Sequence, residues 1–113
     1  MTTRNHSPSL PVYLDVENEL IWAGEQQLRL TPKAFAVLRY LIERSGRLVS
    51  KEELLRAVWA DTIVSEWALT TCLRAIRKAL GEKAKTPRFI ETVHRRGYRF
   101  IAPLSTQPVA SSQ

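Results

Sequence analysis

An α+β fold is predicted for this chain: a small antiparallel sheet, three helices and a closing β-hairpin. Three observations carry that expectation. Apolar and polar residues alternate over residues 12–30, three capped amphipathic stretches lie between Thr31 and Leu80, and two further extended runs flank Gly97. At 113 residues the chain is one domain's worth, large enough to build a core without metal or disulfide staples.

In the first stretch Val12, Leu14 and Val16 alternate with Tyr13, Asp15 and Glu17, and Leu28 and Leu30 alternate with Gln27 and Arg29. Period two marks a strand with one buried face. Glu17-Asn18 and Ala23-Gly24 supply turn residues, which predicts strands over 12–16, 19–23 and 26–30. Thr31-Pro32 is an N-cap followed by proline at the first helical position, where its missing N–H costs nothing. Phe35, Leu38, Leu41 and Ile42 share one face of this first helix, and Gly46 ends it. Leu48-Val49 allows a short extended segment. Ser50-Lys51-Glu52-Glu53 reads as a capping box, ahead of a second helix with Leu54, Leu55, Val58 and Trp59 as its buried stripe. Asp61 to Ser65 is a connecting loop. A third helix starts near Ser65 or Glu66 and runs to Leu80, with Gly81 just past its end. After a polar loop from Glu82 to Pro87, extended runs over 89–93 and 98–102 enclose a hairpin loop, His94-Arg95-Arg96-Gly97. Residues 1–11 and 105–113 are rich in Ser, Thr, Pro and Gln and read as a disordered N-terminus and a tail or linker start, which leaves 12–104 as the domain.

Charge is strongly segregated. Residues 1–73 carry 8 Lys/Arg against 9 Asp/Glu, whereas residues 74–99 carry 9 against 2. A basic patch of that kind on a near-neutral body suits a polyanion. No apolar run reaches the roughly 18–20 residues of a membrane span, and the polar N-terminus has no signal-peptide core. The single cysteine, Cys72, cannot form an internal disulfide, which agrees with a reducing cytoplasm. Catalysis needs a nucleophile, a base and an orienting group together. One cysteine, read as a small core residue of the third helix, and two remote histidines, His6 and His94, make neither a catalytic dyad nor a zinc site. No enzyme, metal, cofactor or small-molecule substrate is therefore expected. An aromatic stacking platform for RNA is also missing from the pattern.

The third helix shows what the basic patch is for. At 100° per residue, Leu69, Leu73, Ile76 and Leu80 fall on one inward arc. Trp67, Thr71, Arg74 and Lys78 fall on the opposite side, with Thr70 and Arg77 to one flank. Arginine offers a planar fork for a guanine edge or a phosphate, and lysine and threonine suit phosphates and mixed groove edges. The alternative is a solvated face with Trp67 folded back on the second helix. His94, Arg95 and Arg96, with Arg99 behind them, form a cationic hairpin tip that suits a narrow minor groove. Cations at an edge strand also guard against aggregation, so the tip gains meaning chiefly from the helix beside it.

Five blocks then bring a family into view. Residues 30–38 (LTPKAFAVL), 47–54 (RLVSKEEL), Val58-Trp59, 73–80 (LRAIRKAL) and 91–100 (ETVHRRGYRF) occur in the order and spacing of the OmpR/PhoB-type DNA-binding domains. The match covers roughly residues 13–103. The chain resembles these effector domains of two-component phosphorelay signalling, and the resemblance implies a winged helix-turn-helix fold in which the C-terminal hairpin is the wing. It implies binding to double-stranded DNA in bacterial transcription regulation, with the third helix in the major groove and the wing in the minor groove. Trp67, Thr71, Arg74 and Lys78 carry over as groove-facing residues, Thr70 and Arg77 as phosphate contacts, and His94, Arg95 and Arg96 as the wing tip. The loop with Asp61, Thr62, Ile63 and Val64 corresponds to a segment that contacts RNA polymerase in such regulators. A second protomer on repeated half-sites is implied as well.

This sequence departs from the family pattern at two places. Trp67 stands near a position where arginine is frequent, and His94-Arg95-Arg96 replaces a slimmer Arg-Gly tip. With no receiver domain ahead of it, the chain is similar to the CadC/ToxR-type regulators, whose DNA-binding domain comes first. The expected location is therefore cytoplasmic and nucleoid-associated, without direct membrane contact by this segment, although a full-length protein of that type could be membrane-tethered. The competing expectation is a winged-helix protein-interaction module, using a surface of Trp59, Ile63, Val64 and Trp67.

Overall fold

The computed structural model describes residues 11–60, 62–82 and 88–105. An N-terminal sheet of order β1-β2-β3 is built from β1 (Val12–Asp15), β2 (Leu20–Ala23) and β3 (Gln26–Gln27). Its register sets Val12 opposite Ala23 and Leu14 opposite Ile21, so the period-two apolar residues share one face. Val12, Ile21 and Ala23 on that face are buried. The β1–β2 turn is tied by Asp15, whose carboxylate accepts from the Asn18 backbone N–H (3.2 Å) and side-chain amide (2.9 Å). These bonds favour the ionised form and lower the Asp15 pKa. The expected third strand over 26–30 is cut to two residues. Leu28 N–H still bonds Ile21 C=O at 2.9 Å, but the chain then turns toward the cap of the first helix.

Helix α1 (Pro32–Glu43) begins as expected, with Thr31 Oγ1 accepting from Ala34 N–H at 3.2 Å. Its buried line is Ala34, Val37, Leu38, Leu41 and Ile42. Phe35, expected on the inward face, is only half-buried at its edge. Strand β4 (Leu48–Ser50) leads into α2 (Lys51–Val58), where Ser50 Oγ accepts from Glu53 N–H at 3.0 Å. The capping box is only half made. The Glu53 carboxylate accepts instead from Tyr40 Oη (2.6 Å) and Arg47 Nη2 (3.0 Å), which ties α2 to α1. The Tyr40 hydrogen bond, and then the two nearby arginines, hold the Glu53 pKa low despite partial burial. Of the expected α2 stripe only Leu54 is fully buried, while Leu55, Val58 and Trp59 pack at the margin of the core.

Helix α3 (Glu66–Leu80) lies against α1, and a second sheet of order β4-β6-β5 closes the other side with β5 (Ile90–Val93) and β6 (Gly97–Phe100). The Leu48-Val49 segment is thus a true strand, pairing antiparallel with β6. Leu41, Leu54, Leu69, Ile76, Ile90 and Phe100 meet in one core. Truncating any of these leucines to alanine costs on the order of 2–5 kcal/mol. Both chain ends of the domain are sewn to β1. Gly24 N–H bonds Pro11 C=O (2.9 Å), Val12 N–H bonds Pro103 C=O (2.9 Å) and Ser105 N–H bonds Val12 C=O (2.8 Å). Pro11 and Ser105, assigned by sequence to the flanking segments, therefore belong to the folded unit. The remainder of those two segments lies outside the described residues.

Candidate nucleic-acid interface

The geometry of α3 follows from its ends. Ser65 takes an extended conformation at the N-cap but makes no side-chain cap bond. Gly81 takes the left-handed conformation (φ 72°), so that its own N–H reaches Lys78 C=O (3.1 Å) and Glu82 N–H reaches Arg77 C=O (2.9 Å). Arg77 and Lys78 sit in the last turn, where cations suit the helix dipole. Leu69, Cys72, Leu73 and Ile76 are buried and Leu80 is half-buried. Burial raises the Cys72 thiol pKa, which suits a core residue rather than a nucleophile. The outward face is the expected one. Trp67 is 70% exposed, and Thr70, Thr71, Arg74 and Lys78 are exposed along the same helix.

Arg77 behaves differently from its neighbours. Its side chain is only 16% exposed, and Nη2 donates to Ile90 C=O (3.0 Å) and Thr92 Oγ1 (2.7 Å) on β5. Its Nε lies 3.6 Å from the Glu82 carboxylate, which in turn accepts from the backbone N–H groups of Phe89 (2.6 Å) and Ile90 (3.2 Å). Sequence alone leaves Glu82 in a polar loop. Its only signal is an acid directly after the glycine that ends a basic helix. In the structure, Arg77 and Glu82 form the clamp that fixes the hairpin to α3.

The hairpin itself has a three-residue tip. Val93 pairs with Gly97, and Arg96 N–H bonds Val93 C=O at 2.9 Å. His94, Arg95 and Arg96 are all exposed, and Arg95 takes a left-handed backbone (φ 64°). Arg99 does not add to the tip, since its Nη1 meets Glu91 across the strands at 3.1 Å. One cleft between helix and hairpin is lined by Thr70, Arg74, Lys78, Thr92 and Tyr98 among others. A second, lined by Lys51, Glu66, Arg95 and Arg96, joins the tip to the N-terminal ends of α2 and α3. Arg74, Lys78, Arg95 and Arg96 form no ion pair among the described residues; the first two line the cleft between helix and hairpin and the last two the cleft at the tip.

The α2–α3 loop exposes one large apolar side chain among polar ones. Ile63 is fully exposed, Thr62 is exposed and Val64 is half-buried, while Asp61 lies outside the described residues. Trp59, Ile63 and Val64 line a shallow depression with Leu55, and Trp67 does not line it. Trp59 is half-buried beneath Lys33, whose Nζ stands 5.7 Å from the indole centroid and donates to Val58 C=O at 3.0 Å. The two tryptophans thus differ in exposure, Trp59 being half-buried and Trp67 70% exposed. Among the described residues no group of His, Cys, Asp and Glu is placed to hold a metal ion, and no helix is long and apolar enough to cross a membrane.

Residues 25–100 match the family described as "Transcriptional regulatory protein, C terminal". The chain is 42% identical over 91 residues to the transcriptional regulator HilA of Salmonella typhi, covering 80% of this chain but 16% of that protein. The DNA-binding domain of Escherichia coli CadC superposes with a TM-score of 0.70 at 27% identity, covering 88% of this chain and 96% of that one. The Klebsiella pneumoniae RstA DNA-binding domain, solved in complex with the RstA box, superposes with a TM-score of 0.71 at 25% identity, covering 78% and 88%. These neighbours share the winged helix-turn-helix arrangement of three helices and a C-terminal hairpin.

Proposed function

The chain belongs to the OmpR/PhoB-type family of transcriptional regulatory C-terminal domains, and from that membership we propose that it binds double-stranded DNA sequence-specifically in bacterial transcription regulation. α3 enters the major groove and the β5–β6 wing enters the minor groove. The observation that carries this reading is the set of exposed cations, Arg74 and Lys78 in the cleft between α3 and the wing and Arg95 and Arg96 at the wing tip, with exposed Trp67 on the same helix. Arg74 and Trp67 contact bases. Thr70, Thr71 and Lys78 hold phosphates and groove edges, and His94, Arg95 and Arg96 work the minor groove. Arg77, fastened to β5 and Glu82, acts mainly by holding the wing at its angle to α3.

The role is one of binding rather than catalysis, in a cytoplasmic, DNA-associated setting. Two protomers occupy repeated half-sites, and the loop containing Asp61, Thr62, Ile63 and Val64 contacts RNA polymerase. The chain spans only 16% of the length of HilA. A second reading, docking of a protein partner, is favoured by one observation, the fully exposed Ile63 beside the Trp59 depression.

Selection of bound duplexes from a random pool, followed by titration of the enriched duplex at several salt concentrations, tests the proposal. An enriched motif with half-sites about one helical turn apart and steeply salt-dependent affinity is expected. Failure to bind any duplex at low salt would overturn it and favour the protein-docking reading.

A further inference from the structure

The exposed face of α3 is chemically divided along its length. Its C-terminal half carries Arg74 and Lys78, whereas its first turn carries Trp67, 70% exposed. Tryptophan, with a large apolar body and a single N–H donor, is a side chain enriched at contact surfaces. Around it the first turn offers little that could read a guanine. Glu66 is drawn to the α2 side by Lys51, whose Nζ lies 3.5 Å from its carboxylate. No arginine or lysine side chain belongs to that turn, and the next cation on this face is Arg74.

A donor-poor, hydrocarbon-rich end of a major-groove helix has one good match among the base edges. Guanine shows two acceptors and asks for a cation fork, while thymine shows a methyl group that asks for apolar contact. Resting on the DNA-binding reading above, we propose that Trp67 is a specificity-determining residue that selects thymine through its 5-methyl group. The seven-residue separation from Arg74 along α3 amounts to about 10 Å, or about three base pairs. The operator half-site therefore places a thymine about three base pairs from the base under Arg74.

The test uses the 113-residue chain and the duplex enriched by selection. Each thymine of the half-site is replaced in turn by deoxyuridine, which removes only the methyl group. One replacement is expected to weaken wild-type binding by about three- to tenfold, the scale of a single buried methyl. Trp67→Ala should bind the thymine and uracil duplexes equally, and Trp67→Phe should retain part of the difference. The exposure of Trp67 means that both variants should fold, which thermal melts would verify. Because the contact is apolar, Trp67→Ala should lower affinity by the same factor at all salt concentrations. Specific binding that no uracil replacement weakens, or a uracil effect that persists in Trp67→Ala, would overturn the assignment while leaving the DNA-binding reading in place. Absence of any enriched duplex would instead strike at that reading itself.

Discussion

Gly97 has the least freedom of any residue in the wing. A Cβ there would lie 2.0 Å from Val49 O and 2.8 Å from Ser50 Cα, and its φ of 150° is one that L side chains rarely adopt. The glycine permits β4 to lie directly against β6, where Ser50 pairs with Gly97. Gly97→Ala is expected to destabilise the domain by roughly 2–4 kcal/mol, measured by urea denaturation, because either backbone must move. A loss below 0.5 kcal/mol would mean that β4 is loosely held. A late glycine in a hairpin loop was legible in the sequence as a turn residue. Its pressing reason, the backbone of β4, was not, because that contact joins segments nearly fifty residues apart. Glu53 teaches the same lesson. Local spacing marks a capping box, but Tyr40 and Arg47 compete for its carboxylate from outside the helix.

At the scale of elements, periodicity read α3 well and read the wing's attachment poorly. Leu69, Leu73 and Ile76 point inward and Trp67, Thr71, Arg74 and Lys78 outward, as a 100° repeat requires. A helical wheel gives direction but not what stands opposite, so it did not show that Arg77 Nη2 bonds Ile90 and Thr92 on β5. Strand β3 fell short of its alternating pattern because the chain must reach the Thr31 cap. The Arg77–Glu82 clamp leads to a stability expectation. Glu82→Ala removes the acceptor of the Phe89 and Ile90 amides and the partner of Arg77, in a place where the Glu82 side chain is 1% exposed. A loss of roughly 2–4 kcal/mol is expected from denaturant melts. Arg77→Ala and Glu82→Ala together should cost less than the sum of the two single changes, since each removes the same contact. Strict additivity would mean that the two side chains act on the wing independently.

For the whole molecule, the charge segregation seen in the sequence survives folding in reduced form. Among the described residues after Leu73, Arg77 pairs with Glu82 and Arg99 with Glu91, whereas Arg74, Lys78, Arg95 and Arg96 are exposed on α3 and the wing. Net charge alone would predict no difference between removing a clamp arginine and removing a wing arginine. The structure does. Replacing Arg95 and Arg96 together by alanine should reduce the slope of log K against log salt by about one to two units, because each cation that meets a phosphate releases condensed counterions. Stability should hardly change, since both side chains are exposed and Arg95→Ala keeps a residue that tolerates the turn no worse. The selected motif under α3 should also persist, because the wing reads groove shape more than base edges. Affinity measured from low to moderate salt on the enriched duplex checks all of this at once. If the slope were unchanged, the wing would stand off the phosphates, and the cationic face would be reduced to α3 alone.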